Sequence, residues 1–178
     1  MNVFSFVLHA PHTMRPVVLR VALVALAFAA SACYSFRGGS VPDHLKTITI
    51  VSVTDRSGFG DASLREYCTE MLLQRFRSDN TLQLVNNNGD ARLTAVLVRV
   101  QDQILNVQSG DLENQRKMAV AVEVEYVDVV KNRTMWKRTF ENFDAYDVAN
   151  ATEDRQRASR AAIDRIVDDV LLAVASDW

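Results

Sequence analysis

The chain has 178 residues, with 20 Lys and Arg against 22 Asp and Glu, three His and two Cys, and a formal net charge of −2. That mildly acidic balance excludes a general nucleic-acid binder, and two cysteines, Cys33 and Cys68, are too few for a disulfide framework. The length suits one domain with its own core.

The N-terminus reads as an export signal. Arg15 and Arg20 are the only charged residues before Cys33, and they precede the apolar run VALVALAFAA at 21–30. A positive segment, a short apolar segment and small residues at the cut make a secretory signal. The run is too short to span a bilayer, which takes about 20 residues. Ala30, Ser31 and Ala32 lead straight into Cys33, an arrangement similar to a lipobox, in which the cysteine is acylated before cleavage. The usual leucine three places before the cysteine is Ala30 here. Ordinary cleavage after Ser31-Ala32 is the competing reading, and Met14 is an alternative start. The expected organisation is a signal peptide over 1–32, a lipidated Cys33 with a tether through 46, and one domain over 47–178. The tether carries Gly38-Gly39-Ser40 and is expected to be loose. With His9 and His12 in the leader, only His44 remains in the mature chain, which leaves no His/Cys metal cluster.

Within the domain, 47–53 (TITIVSV) is rich in β-branched residues and is the first strand. Gly58 and Gly60 mark a loop. Ser63 and Glu66 have capping-box spacing, and Leu64, Cys68, Met71, Leu72 and Phe76 recur at helical intervals as far as 78–80. Residues 81–85 form a short extended piece, and 86–90 (NNNGD) a turn. Residues 91–100 make a strand with apolar residues on both faces, hence a central one. Residues 108–117 read as a polar loop.

Val120, Val122, Val124 and Tyr126 then alternate with Ala121, Glu123 and Glu125 in a half-buried strand. Residues 135–143 are its hairpin partner across a turn at Val130-Lys131-Asn132, with Asn132 left-handed. This register sets Tyr126 opposite Trp136, Val122 opposite Phe140, and Glu125 opposite Lys137. A one-residue slip would put Lys137 among the valines. Arg138 falls on the apolar face and must reach a rim or a partner. The last helix spans 151–175, capped by Asn150 and Glu153. Its buried stripe is Ile163, Ile166, Val167, Val170, Leu171 and Val174. Arg160/Asp164 and Arg165/Asp169 are expected to pair along its exposed side. The fold class is α+β, a two-layer sandwich with a mostly antiparallel sheet of about four strands and two helices on one face.

No G-x-S-x-G, H-E-x-x-H or P-loop pattern occurs. Gly58-Phe59-Gly60 is a turn rather than a nucleotide fingerprint. Cys68 lies on an apolar helical stripe, so a buried, inert thiol is expected. Neither catalysis nor a cofactor is indicated.

Cys33-Tyr34-Ser35-Phe36 with Gly38-Gly39-Ser40, then Pro42-Asp43-His44-Leu45-Lys46-Thr47-Ile48, resembles the start of the mature LptE lipoproteins of lipopolysaccharide assembly. Phe76-Arg77-Ser78-Asp79 with Leu82-Gln83-Leu84-Val85, the hairpin with Trp136, and Phe143-Asp144-Ala145-Tyr146-Asp147-Val148 extend the resemblance across the mature chain. Two departures are visible: no Gly separates Cys33 from Tyr34, and the tip reads Lys131-Asn132-Arg133. The resemblance implies a periplasm-facing outer-membrane lipoprotein that assembles with and plugs an LptD-like β-barrel and supports lipopolysaccharide transport. Cys33 would carry the membrane anchor. Lipopolysaccharide phosphates would be met by lysine and arginine, with Arg116, Lys117, Lys131, Arg133, Lys137 and Arg138 as candidates. Ordinary solvated charges are the plainer reading of each. A second functional reading, from another class, is a lipoprotein activator of a periplasmic peptidoglycan synthase.

Overall fold

The structure, a computed structural model, describes residues 41–105 and 115–176. The signal sequence, Cys33, the Gly38-Gly39-Ser40 tether and most of the 108–117 segment lie outside the described residues. In chain order the elements are β1 (Thr47–Ile50), β2 (Thr54–Asp55), α1 (Ala62–Asp79), β3 (Gln83–Leu84), β4 (Ala91–Ile104), β5 (Gln115–Asp128), β6 (Arg133–Asp147), a 3-10 turn (Val148–Asn150) and α2 (Ala151–Ser176).

The sheet has six strands in the order β3-β1-β4-β5-β6, with β2 paired to β4 beyond the end of β1. It is mixed. β1 is parallel to both β3 and β4, and β2 is parallel to β4. The β4–β5 and β5–β6 pairs are antiparallel. This corrects the expected four-stranded, mostly antiparallel sheet, while the α+β class and the two covering helices stand. The cause is a crossing: the chain leaves β3 on one side of β1 and enters β4 on the other. At the crossing, a Cβ on Gly89 would stand 2.7 Å from the Thr49 nitrogen, so only glycine lets the two backbones approach so closely. Asp90 locks the crossing, its Oδ2 accepting the Lys46 and Thr47 amides and the Thr47 hydroxyl, each at 2.9 Å.

The TITIVSV run is not one strand. It leaves the sheet after Ile50 and rejoins it at Thr54, while the Val53 amide donates to Thr69 Oγ1 of α1 at 3.1 Å. The cap of α1 also differs from expectation. Asp61, not Ser63, is the N-cap, and its Oδ1 accepts from the amide and hydroxyl of Ser63. At the other end Asn80 takes a left-handed conformation (φ 57) and donates to Phe76 O. Leu64, Cys68, Leu72 and Phe76 form the buried stripe, with Met71 half-buried against it.

β4 is central and runs on to Ile104. A bulge at Val98 shifts its pairing with β5, so the core-facing side changes from odd residues (Leu93, Ala95, Leu97) to even ones (Val100, Asp102). Val120, Val122, Val124 and Tyr126 of β5 are all at most 1% exposed. The β5–β6 hairpin has the expected register, with Tyr126 opposite Trp136, Val122 opposite Phe140 and Glu125 opposite Lys137. Asn132 is left-handed at φ 48. The Trp136 ring lies between Tyr126 and Phe140, tilted to the first and edge-on to the second, with centroids 5.6 and 5.9 Å away.

α2 buries Ile163, Ile166, Val167, Val170 and Val174, in one core with α1 and the inner sheet face. Its charges reach across elements, and this replaces the expected pairing along the helix. Asp164 accepts from the Tyr67 hydroxyl at 2.9 Å, and Arg160 lies over the Tyr67 ring. Arg165 binds Asp144 at 2.7 Å and the Phe143 carbonyl.

Candidate functional site

The turn between β5 and β6 projects an amphipathic tip. Val129 and Val130 are 42% and 60% exposed, and Lys131, Asn132 and Arg133 beside them are exposed too. The tip is braced from beneath. Asp128 is fully buried; its Oδ1 accepts the Lys131 amide at 2.9 Å, and its Oδ2 meets Nε2 of His44 at 2.7 Å. The Val129 amide donates to Asp90 O, joining the turn to the β1 crossing. Burial pushes the Asp128 carboxyl up, but the hydrogen bonds from His44 and the Lys131 amide outweigh it and hold the group below its ordinary value. An ionised carboxylate only accepts, so His44 is the donor. A held turn bearing two valines and two cations can meet an anionic amphiphile, apolar contact and charge together.

The six candidate cations do not form one site. Arg116 and Lys117 lie in β5 rather than a loop, roughly 40 Å along the hairpin from the tip at strand rise. Arg116 is tied to Asp102 at 2.8 Å, and Lys117 rests over the Phe143 ring, 4.6 Å from its centroid. Lys137 pairs with Glu123 at 3.2 Å on the outer sheet face. Arg138 is exposed, with its guanidinium 5.5 Å from the Trp136 ring centroid. Of the six, only Lys131 and Arg133 share a surface.

A second polar cluster closes the opposite end of the sandwich. Asp102 receives Arg116, the Tyr146 hydroxyl at 2.7 Å and Arg155 of α2 at 3.1 Å. Burial alone would raise its pKa, and the Arg116 and Tyr146 hydrogen bonds hold it low. This cluster joins β4, β5, β6 and α2 and sets two guanidinium groups against one carboxylate, with Arg155 Nε close to Asp102 but outside hydrogen-bond geometry. A shallow groove between residues 52–54 and α1 sets Arg65 and Arg77 against Glu66 and Glu70, with no excess of either sign.

Residues 45–174 match the family model LptE, lipopolysaccharide-assembly. The chain belongs to the LptE family. Its fold is shared with solved structures of low identity, of which three serve as examples. A hypothetical protein of Chlamydia trachomatis has a TM-score of 0.55 and 12% identity, over 73% of this chain and 95% of that one. A minor lipoprotein of Acinetobacter baumannii has 0.52 and 16%, over 73% and 92%. The rare lipoprotein B of Shewanella oneidensis has 0.50 and 11%, over 70% and 92%. No curated protein matches the chain. The LptE family is a non-catalytic lipoprotein family, so membership favours lipopolysaccharide assembly over the synthase-activator reading.

Two features of this LptE-family member escaped the sequence reading. Asp128 had a signal: it continues the even-numbered core face of Val122, Val124 and Tyr126, so an acidic residue at a buried position was visible. Asp102 had none, because the Val98 bulge changes the parity that would have placed it.

Proposed function

We propose that this protein is an outer-membrane lipoprotein, anchored through Cys33, that assembles with an LptD-like β-barrel, plugs it, and supports lipopolysaccharide delivery. Lys131 and Arg133 at the hairpin tip are the residues assigned to the phosphorylated glycolipid. Family membership over residues 45–174 supports the assembly role. The observation that carries the tip assignment is the exposure of Val129 and Val130 beside the two cations on a turn held by Asp128. A wide barrel has a polar lumen, and the outer sheet face suits one: Arg56 and Lys137 both bind Glu123, and Arg99 binds Glu141. Acyl chains at Cys33 would keep the domain at the inner leaflet, since stable anchoring takes more than one chain.

Charge reversal at the tip, Lys131→Glu with Arg133→Glu, tests the assignment. Binding to purified lipopolysaccharide should fall and should no longer weaken with salt, because the screened attraction is replaced by a screened repulsion. The melting temperature should hardly move, because exposed substitutions stay within about 0.5 kcal/mol. Unchanged lipopolysaccharide binding would remove the tip from the proposal.

A further inference from the structure

The end of the domain that carries the hairpin tip is also the end at which the chain enters it. Val41 packs against the core, and three residues later His44 meets Asp128 at the base of the turn. The Lys46 and Thr47 amides donate to Asp90 Oδ2, and the Asp90 carbonyl accepts the Val129 amide. Entry segment and tip are therefore one braced unit. Eight peptide steps separate Cys33 from Val41, and whatever conformation they take they span at most about 28 Å. The far end of the hairpin, where Gln115 pairs with Asp147, stands roughly 40 Å from the tip. A domain resting on that far end would hold Val41 beyond the reach of its own anchor. The tether keeps the tip end beside the leaflet.

We propose that the tip is a membrane contact: Val129 and Val130 enter the headgroup layer of the leaflet that holds the Cys33 acyl chains, and Lys131 and Arg133 meet the phosphates of its phospholipids. The side chains suit that partner. The two valines are 42% and 60% exposed and adjacent on the turn, with exposed cations directly after them. Lys46 of the entry segment and Arg92 near the start of β4 are exposed at the same end. Asp90 and Asp128 spend their carboxylates on the brace, which leaves Asp43 as the exposed acid of the entry segment. Acyl chains hold a protein more firmly when a basic patch supplies a second signal. Tethering also makes a weak contact count, because the leaflet is then present at high effective concentration. The inference rests on the Cys33 anchor and deepens the tip assignment made above, since it places the tip's encounter with lipid at the anchored leaflet. A plug held in this way keeps its tip at the barrel mouth beside that leaflet, with the Asp102 end leading into the lumen.

The test uses the full-length acylated protein in vesicles of phosphatidylethanolamine and phosphatidylglycerol. Val130→Cys takes an environment-sensitive fluorophore at that site alone, since acylation occupies Cys33 and Cys68 is buried. Its emission should shift to the blue and be quenched by doxyl-labelled phospholipid. The same label on Ile104→Cys, exposed at the far end of β4, should show neither change. Adding Lys131→Glu with Arg133→Glu to Val130→Cys should reduce the quenching, and raised salt should reduce it where the two cations are kept. Flotation of the vesicles separates the two readings. Protein that floats, with its Val130 label no more quenched than the Ile104 label, keeps its anchor and overturns the tip contact. Protein that fails to float overturns the anchor, and the tip contact with it. Quenching that appears only once lipopolysaccharide is added to the vesicles would leave the tip to the glycolipid and overturn the phospholipid contact.

Discussion

Asp128 and His44, 84 residues apart in sequence, meet at 2.7 Å between Oδ2 and Nε2. Through this one carboxylate, the segment leading into β1 is joined to the turn that carries the hairpin tip, because Oδ1 holds the Lys131 amide. The geometry of the tip therefore depends on a residue near the start of the domain. His44→Ala would strip a buried carboxylate of one donor and should cost about 1–3 kcal/mol. Urea unfolding monitored by circular dichroism reads that loss directly, and a stability equal to wild type would mean the pair does not brace the turn.

The same pairing predicts the acid limb of stability. Asp128 and Asp102 are both held below their ordinary values in the folded protein. Asp90 is held low too, by the Lys46 and Thr47 amides and the Thr47 hydroxyl. A carboxyl whose folded pKa is depressed stabilises fully above its unfolded value, near pH 4. That contribution disappears as pH falls through the lower folded value. Stability should therefore be level from neutrality to about pH 5 and decline steeply below about pH 4. Asp128→Asn should start lower and decline less.

Cys68 is fully buried, and burial pushes its thiol up to about 12. It should resist alkylation at pH near 8 in the native state and react as soon as denaturant unfolds the chain. Rapid labelling of native protein would contradict its position on the inner face of α1.

Val122 is 1% exposed and lies between Leu97 and Phe140 in the sheet. Val122→Asp would bury an unpaired charge there and should destabilise by about 3 kcal/mol or more. An unchanged thermal midpoint would overturn the β5 register.

The central hairpin was legible because apolar and charged residues alternate over 122–126, giving each face its own chemistry there, although Met118 to Val122 are buried on both faces. Tyr126 against Trp136 and Asn132 as the left-handed residue follow from that pattern alone. The parallel half of the sheet was not legible. β2 and β3 are two residues each, too short for any period, and strand direction depends on the crossing at Gly89, a contact between distant backbones. Ser63 has the capping-box spacing, but Asp61, two residues earlier, accepts both of the serine's donors and caps the helix instead. Arg165 chose Asp144 over its helical neighbour Asp169 because β6 brings a second carboxylate and a free carbonyl within reach. At the candidate site, charge type was readable but proximity was not. Six cations looked alike in the sequence, and strand geometry sends Arg116 and Lys117 to the far end of the hairpin from Lys131 and Arg133.

The most direct measurement is the identity of the partner. The native lipoprotein, affinity-purified from detergent-solubilised membranes and analysed by mass spectrometry, should bring down an LptD-like β-barrel protein in near-stoichiometric amount, and depletion of the lipoprotein should lower the assembled barrel. Recovery of a peptidoglycan synthase in place of the barrel, with barrel assembly unaffected by depletion, would contradict a role in lipopolysaccharide assembly.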